Sequence, residues 1–364
     1  MSFRRIDTSL PFFYQKFLPS FFQNTIPEET VATCNNCPML SDHGFDDTDK
    51  NFFSPESKCC THYPNLSNYI VGGLLDSTDP CYEDGRQRMR KQISSRIEVT
   101  PHGILRPKKY HFLLTHTQYD YFGRSNWLIC PYYDRVKGIC TVRPYWNATC
   151  NTWFCKYTGG FDDRAFWLTL RKYLKSVEEV LTQYTLLTMG LDCSKIIKNI
   201  PNSGHLTVAE LDDKPLSWEN YRSLWGEWEG REEEFYRETF HIVKDLTLRD
   251  FERITGISHI IMLEELKKSY DTLMNNEPPY ILKRNPKLQV KSSNEDFCTL
   301  IGYSPFDPVE IPRAIYEMLD LFDGDRTNDD VFALLLEKDK KIPTDDLLLS
   351  LYRLRILITD EDEQ

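Results

Sequence analysis

The chain has 364 residues, of which 40% are hydrophobic and 27% are charged, a balance typical of globular proteins and not of disordered ones. Its net charge is −11, and the segment 301–364 alone holds seven basic and sixteen acidic residues, which disfavours nucleic-acid binding there. No apolar run approaches the roughly 20 residues of a membrane span, and Asp7 and Pro11 interrupt the amino terminus before a signal-peptide core can form. We therefore expect a cytoplasmic protein without a membrane partner.

The cysteines are the strongest functional signal in the chain. Nine of the eleven lie within residues 1–160, in short-spaced groups, and an odd count leaves at least one outside any full disulfide scheme. In a reducing compartment, clustered thiols are more often metal-bound or catalytic than paired, and thiolates select zinc, copper(I) or iron–sulfur clusters. We predict metal binding by two groups of four: Cys34, Cys37, Cys59 and Cys60, and then Cys130, Cys140, Cys150 and Cys155.

The sequence does not determine how many metal centres these eight thiols form. They suffice for two four-ligand centres, or for one cluster and a redox pair, and buried inert thiols are the alternative. The adjacent Cys59 and Cys60 can reach one ion only from a tight turn, so we expect irregular backbone there. His62 is a candidate substitute ligand or hydrogen-bond donor, with a plain surface histidine as the alternative. The remaining cysteines, which we expect to be structural, are Cys81, Cys193 and Cys298.

Residues 1–160 show little helical periodicity and many turn-forming residues. We predict an irregular cysteine-rich module with a thin core, organised by its metal, because metal binding can supply folding free energy. One or two short helices are expected within 65–99. The glycine pairs Gly72-Gly73 and Gly159-Gly160 are predicted to form turns.

Residues 161–279 are predicted to form a helical region. Apolar residues recur at helical spacing from Asp162 until Gly190, which is placed to end the helix. A second helix is expected to begin after Ser217, a candidate N-cap, and a third to cover 262–274. We interpret the tryptophan stripe of the second helix as core packing. That stripe contains Trp218, Trp225 and Trp228.

Residues 280–364 are predicted to form a winged-helix domain. Alternation near Leu288 and again over 297–303 predicts a hairpin, and three short helices should follow, two of them capped by Thr327 and Thr344. A final apolar stretch closes the pattern at 356–358. The expected fold class is therefore α+β and mainly helical, with the cysteine-rich module, the helical middle and the winged helix in that order.

The cysteine pattern resembles that of a known family. The motif C-x9-C-x2-R-P-x5-C from Cys130 to Cys150, together with the earlier C-x2-C and the cysteine doublet, is similar to the YkgJ-like cysteine-cluster family, which is described as zinc- or iron-chelating. The flagellin lysine N-methylases have a similar cluster. The resemblance covers about residues 30–160, and it implies an iron–sulfur cluster, or alternatively zinc, held by these cysteines.

The carboxyl-terminal part resembles a PqqD-like domain, through L-D-L-F-D-G-D-R-T-N-D-D-V at 319–331 and the helix that follows. The resemblance implies a peptide or protein partner that adds an extended strand to a sheet edge. Two functions follow as hypotheses: an enzyme that modifies a peptide or protein, with lysine methylation as one option, or a non-catalytic adaptor stapled by zinc or a cluster. The chain has no nucleotide-binding or hydrolase motif, so we assign no catalytic residue.

Overall fold

The fold is known from a computed structural model, in which helices predominate and the sheets are small and antiparallel. This confirms the predicted class, α+β and mainly helical. No helix within the described ranges is both long enough and apolar enough to cross a membrane. The structure describes residues 2–29, 37–41, 52–117, 121–192, 212–338 and 340–363, without the side chains of 114–117.

The helices and strands are numbered in chain order within these ranges. The α-helices are α1 (Phe12–Gln15), α2 (Asn68–Asp76), α3 (Glu83–Ser95), α4 (Lys108–Thr117), α5 (Ala148–Asn151), α6 (Gly160–Thr188), α7 (Trp218–Trp225), α8 (Glu232–Asp245), α9 (Leu248–Ile254), α10 (Ile257–Met274), α11 (Arg313–Met318), α12 (Asn328–Glu337) and α13 (Asp345–Arg353). The strands are β1 (Phe3–Arg5), β2 (Thr25–Pro27), β3 (Leu66–Ser67), β4 (Val99–Thr100), β5 (Gly103–Ile104), β6 (Tyr133–Asp134), β7 (Ile139–Cys140), β8 (Ile281–Arg284), β9 (Gln289–Ser293), β10 (Phe297–Ile301), β11 (Val309–Pro312), β12 (Asp323–Thr327) and β13 (Leu357–Ile358).

The long helix α6 confirms the clearest sequence prediction. Its apolar stripe is buried, as amphipathic spacing requires. Gly190 adopts a φ of +73°, one residue beyond the C-cap of the helix, Met189. The N–H groups of Gly190 and Leu191 donate to the carbonyls of Leu187 and Leu186, which is the hydrogen-bond pattern of a Schellman motif.

Helix α7 begins where Ser217 predicts it. The Ser217 hydroxyl accepts the Asn220 N–H at 3.3 Å, as an N-cap should. Trp225 is buried in the core, as expected. Trp218 does not share that face: it is 57% exposed, and the Arg96 guanidinium lies 3.7 Å from its ring centroid. The tryptophan stripe is therefore core packing only in part, because Trp218 occupies the first helical turn at the surface.

The glycine pair Gly72-Gly73 lies inside α2, so the prediction of a turn there is wrong. The reason is close packing of α2 on α8. A Cβ atom on Gly72 would lie 1.8 Å from the carbonyl oxygen of Tyr236, so only glycine lets the two backbones meet. The second pair does form a turn, and Gly160 has a φ of +68° at the beginning of α6.

Two clusters of buried side chains make up the interior. The first draws on residues from Ile6 to Leu273 and the second on residues from Leu282 to Leu357. The expectation of a thin core in the amino-terminal half is wrong, because irregularly spaced aromatic residues there fill much of the first cluster. These include Tyr14, Phe17, Phe22, Tyr69 and Tyr132.

The carboxyl-terminal part contains the predicted hairpin and the three predicted helices. Strands β9 and β10 pair antiparallel, and β11 adds to β10. The hydroxyls of Thr327 and Thr344 cap α12 and α13. The final apolar stretch becomes β13, which pairs with β8 in a second sheet of order β12-β8-β13. A winged helix remains the prediction for this part.

Candidate functional site

One cavity of about 890 Å³ collects the predicted site residues. Its volume is within the range of roughly 300–1,000 Å³ typical of small-molecule and cofactor sites. Seven of the eight predicted cysteines line it, and Cys34 lies outside the described residues. The seven are Cys37, Cys59, Cys60, Cys130, Cys140, Cys150 and Cys155.

The adjacent cysteines lie on a tight turn, as predicted. Cys59 and Cys60 belong to a single 3₁₀ turn at Lys58–Thr61. A hydrogen bond between the two thiols lowers the pKa of Cys59 and raises the pKa of Cys60. The Lys58 ammonium donates to the carbonyl of Gly138 at 3.1 Å, which ties this turn to the hairpin that carries Cys140.

A short hairpin positions Cys140, and a backbone hydrogen bond positions Cys130. Asp134 accepts the backbone N–H groups of Val136 and Lys137, and Gly138 closes the loop at a φ of +65°, so β7 brings Cys140 back to the wall. The indole N–H of Trp146 donates to the Cys140 sulfur at 3.2 Å. The Cys130 N–H donates to the Cys60 carbonyl at 2.7 Å, and this bond joins the two predicted groups directly.

Helix α5 positions Cys150. The Asn147 side-chain oxygen caps α5 by accepting the Cys150 N–H at 3.0 Å. The Ala148 N–H donates to the carboxylate of Glu178 on α6 at 2.6 Å. The amino-terminal end of α5, and with it Cys150, is therefore held by its cap and by a buried carboxyl group of the long helix.

The seven thiols share one electrostatic environment. Burial raises the pKa of Cys130, Cys150 and Cys155, so these thiols are protonated at neutral pH when no metal is bound. Cys59 raises the pKa of both Cys150 and Cys155 by its charge. The seven described members of the two predicted groups are thus interleaved around a single space.

The donor set fits a soft metal, because thiolates are the preferred ligands of zinc and iron–sulfur clusters. None of the nine described cysteines is in a disulfide. Within the described ranges, no three Cys, His, Asp or Glu side chains already lie close enough to hold one ion. Metal binding would therefore need the thiol side chains to turn toward a common centre.

His62 also lines this cavity. Its Nε2 atom is buried and has no hydrogen-bond partner among the described residues. Burial, together with the charges of Arg106 and Lys175, lowers the pKa of His62 to about 3. The imidazole is therefore neutral, which is the form that ligates metals. Its role as a ligand or donor remains a prediction.

The cavity also has a basic wall, which was not predicted from the sequence. Six basic side chains and two glutamates line it, from the amino-terminal strands and from α6 as well as from the cysteine segments. Helical spacing of Trp167, Arg171 and Lys175 was the available signal, since residues four apart share a helix face. The charged residues are Arg4, Glu28, Glu29, Arg106, Arg143, Lys156, Arg171 and Lys175.

Glu29 is a buried carboxyl group in this wall. It accepts the Thr158 N–H and the Trp167 indole N–H, each at 3.1 Å. Burial and the neighbouring Asp163 raise the pKa of Glu29 to about 10. Glu29 is therefore neutral at physiological pH, and it adds no negative charge to the wall.

The cysteines expected to be structural are not lining residues of the cavity where they are described. Cys81 is exposed, and Cys298 is buried in β10 with its sulfur 3.3 Å from the Ser293 hydroxyl. Cys193 lies outside the described residues. Comparison with known proteins gives no match: no protein-family model, no curated protein and no solved structure is similar to this chain.

Proposed function

We propose that this protein binds an iron–sulfur cluster, with zinc as the alternative, through the thiols of the cavity and Cys34. The observation that carries the proposal is the convergence of seven thiols, from segments spread between Cys37 and Cys155, on one cavity. Seven thiols exceed the four that a single zinc site takes. A cluster also suits a cavity much larger than one ion, so we place iron–sulfur binding first.

The surrounding residues support thiolate ligation. Binding of a metal requires deprotonated thiols, and the basic side chains of the wall would stabilise the resulting negative charge. The pKa of Cys59 is lowered, because Cys60 donates a hydrogen bond that stabilises its thiolate form. When bound, a cluster would supply electron transfer or Lewis acidity.

The metal and sulfide content of anaerobically purified protein tests this proposal. We expect brown protein with visible absorption, iron and acid-labile sulfide. Cys150→Ser should lose most of the metal, whereas Cys81→Ser, which changes an exposed cysteine away from the cavity, should retain it. Stoichiometric zinc without sulfide would reverse the choice of metal. Folded protein with neither metal would refute the proposal.

We also propose that the carboxyl-terminal part, as a PqqD-like winged helix, binds an extended peptide along β9. All five residues of β9 are exposed, and its described pairing is with β10 on one side. An open strand edge can add a further strand through backbone hydrogen bonds. The acidic charge of 301–364 favours such a ligand over nucleic acid.

Hydrogen exchange tests the peptide proposal. A peptide selected from a random library against the full-length chain should protect the backbone amides of 289–293. The opposite edge of the same sheet, at 309–312, is the internal control and should not change. Protection elsewhere in the chain, or binding of duplex DNA with a steep salt dependence, would contradict strand addition.

Two functions combine these sites. One is an enzyme that modifies a peptide or protein, with lysine methylation as one option, and the other is a non-catalytic adaptor stapled by its metal. Calorimetry with S-adenosylmethionine separates them. Saturable binding supports a methyl transfer, and no binding favours the adaptor.

A further inference from the structure

Three basic side chains form a cluster in the wall of the cysteine-lined cavity. Arg171 and Lys175 are four residues apart on α6, and Arg106 follows β5. Partial burial lowers the pKa of Lys175, and the nearby charges of Arg171 and Arg106 lower it further, whereas the charge of Glu178 opposes them. Part of the Lys175 side chain is exposed to solvent, so this part of the wall reaches the surface.

The cluster has little negative charge to balance it, because burial raises the pKa of Glu178, the carboxyl group that acts on Lys175, to about 7. The Arg171 guanidinium is held by Thr152, through Nε to the hydroxyl at 2.9 Å and Nη2 to the carbonyl at 3.0 Å. The Arg106 Nε atom is buried and lacks a hydrogen-bond partner in the described part of the chain. No salt bridge between described residues includes Arg106 or Lys175. Unpaired cations that are partly withdrawn from water are costly.

Two features of the fold disfavour this arrangement unless a ligand is present. Like charges four apart on one helix face repel each other. The unsatisfied Nε of Arg106 is a buried donor without an acceptor. An anion between the three side chains would relieve the repulsion, and a turn of the Arg106 guanidinium toward it would give Nε an acceptor, because planar guanidinium groups bind carboxylate and phosphate oxygens in pairs.

The rest of the cavity leaves the positive charge in excess. Its wall contains six basic side chains, and of its two glutamates Glu29 is protonated, with its pKa raised to about 10. A centre held by four thiolates would contribute negative charge of its own. Arg4, Arg143 and Lys156 are further basic residues of the wall, so Arg106, Arg171 and Lys175 are not all needed to balance such a centre.

We propose that Arg106, Arg171 and Lys175 form a binding site for an oxyanion, a carboxylate or phosphate group, of the ligand that enters this cavity. The site goes beyond metal binding and does not require it. The cations are part of the wall whichever metal the thiols hold, and the cavity is large enough for a small molecule beside the thiols.

Isothermal titration calorimetry with inorganic phosphate and with acetate tests the site on the full-length protein. We expect saturable binding of one of them, and the tighter anion identifies the group that the natural ligand carries. Arg106→Gln and Lys175→Gln should each weaken binding about tenfold, the loss of a charge-assisted hydrogen bond. Lys172→Gln, which removes an exposed lysine of the same helix that pairs with Glu265, should leave the affinity unchanged.

Metal content of the same variants distinguishes this site from the metal proposal. Unchanged metal in Lys175→Gln with weakened anion binding supports an anion site, and binding that persists after chelation supports its independence from the metal. If Arg106→Gln does not fold, the Lys175→Gln variant tests the proposal by itself. The Lys175 side chain is exposed, so its substitution leaves no void in the protein interior. The proposal would be overturned if neither anion shows saturable binding, or if Lys172→Gln weakens binding as much as Lys175→Gln does. It would also be overturned if Lys175→Gln loses metal but keeps its affinity for the anion.

Discussion

Glu178 is the residue that connects three elements beside the cysteines. Its Oε1 atom accepts the Tyr14 hydroxyl hydrogen bond from α1 and the Ala148 N–H from α5. The side chain is buried in α6, and burial raises the pKa of Glu178 to about 7. A carboxyl group in this setting favours its neutral form, so its ionisation opposes folding.

We predict that Glu178→Gln removes a pH dependence of stability. The pKa of Glu178 is about 7 in the folded chain, against an ordinary value of 4.5. The carboxyl group therefore stays protonated to a higher pH in the folded state than in the unfolded state. The contribution of the protonated Glu178 to the free energy of unfolding is fully present below about pH 4.5 and is lost as the pH rises to about 7. The free energy of unfolding of the variant, measured in urea, should rise relative to the wild type over that interval, by on the order of 3 kcal/mol.

Glutamine suits this test because its oxygen can replace Oε1, which accepts both hydrogen bonds. Glu179→Gln is the matched control, one residue further along α6. The hydrogen bond from His102 lowers the pKa of Glu179. The free energy of unfolding of Glu179→Gln should therefore not rise relative to that of the wild type between pH 4.5 and 6. If the difference in the free energy of unfolding between Glu178→Gln and the wild type is constant over that interval, Glu178 is not the source of the pH dependence.

At the scale of elements, the contact between α2 and α8 depends on one missing side chain. We predict that Gly72→Ala lowers the free energy of unfolding by about 1–3 kcal/mol, the usual cost of overpacking. The added Cβ atom would lie 1.8 Å from the Tyr236 carbonyl oxygen, and that backbone atom cannot move without moving α8. Denaturant titration of both proteins measures the change.

Gly256→Ala is the control for this effect. It adds the same methyl group at a φ of −95°, where no atom lies within 4 Å. Its stability should stay within about 1 kcal/mol of the wild type, because alanine adopts this backbone conformation. Equal losses for Gly72→Ala and Gly256→Ala would mean that close helix contact is not the cause.

Some elements could be predicted from local sequence because local interactions define them. Helix α6 has a continuous apolar stripe and a glycine stop, and α7 has a serine cap. The pair Gly72-Gly73 could not be placed, because glycine is equally consistent with a turn and with close helix packing. The two-residue strands β6 and β7 are too short to leave a periodic pattern.

At the scale of the whole molecule, residue type predicted part of the site and tertiary structure provided the rest. The cysteines were predicted from type and spacing, and seven of them line one cavity. Their interleaving was not predictable, because it depends on backbone contacts such as the bond between Cys130 and Cys60. The basic wall was missed for the same reason: Arg4 and Lys175 are distant in sequence, and only the fold brings them to the same cavity.

A buried ion pair joins the two hydrophobic clusters of the molecule. Arg355, just after α13, lies 3.6 Å from the carboxylate of Asp162 at the beginning of α6, and both side chains are largely buried. Its guanidinium also lies 4.0 Å from the ring centroid of Phe161 and forms an ion pair with Asp362 at 2.7 Å. These contacts fix the carboxyl-terminal part against the helix that lines the cavity.

We predict that Arg355→Leu lowers the free energy of unfolding by about 3 kcal/mol, because removal of one partner leaves the Asp162 carboxylate buried without its cation. Burial already raises the pKa of Asp162, and Arg355 opposes that rise. Urea unfolding measures the loss, and limited proteolysis should cut more readily between α10 and β8. Arg253→Leu breaks an exposed pair with Asp250 at 3.8 Å and should cost at most about 1 kcal/mol. If the two variants lose equal stability and resist the protease equally, the buried pair does not hold the carboxyl-terminal part to α6, and the packing of Phe161 and neighbouring apolar residues must do so.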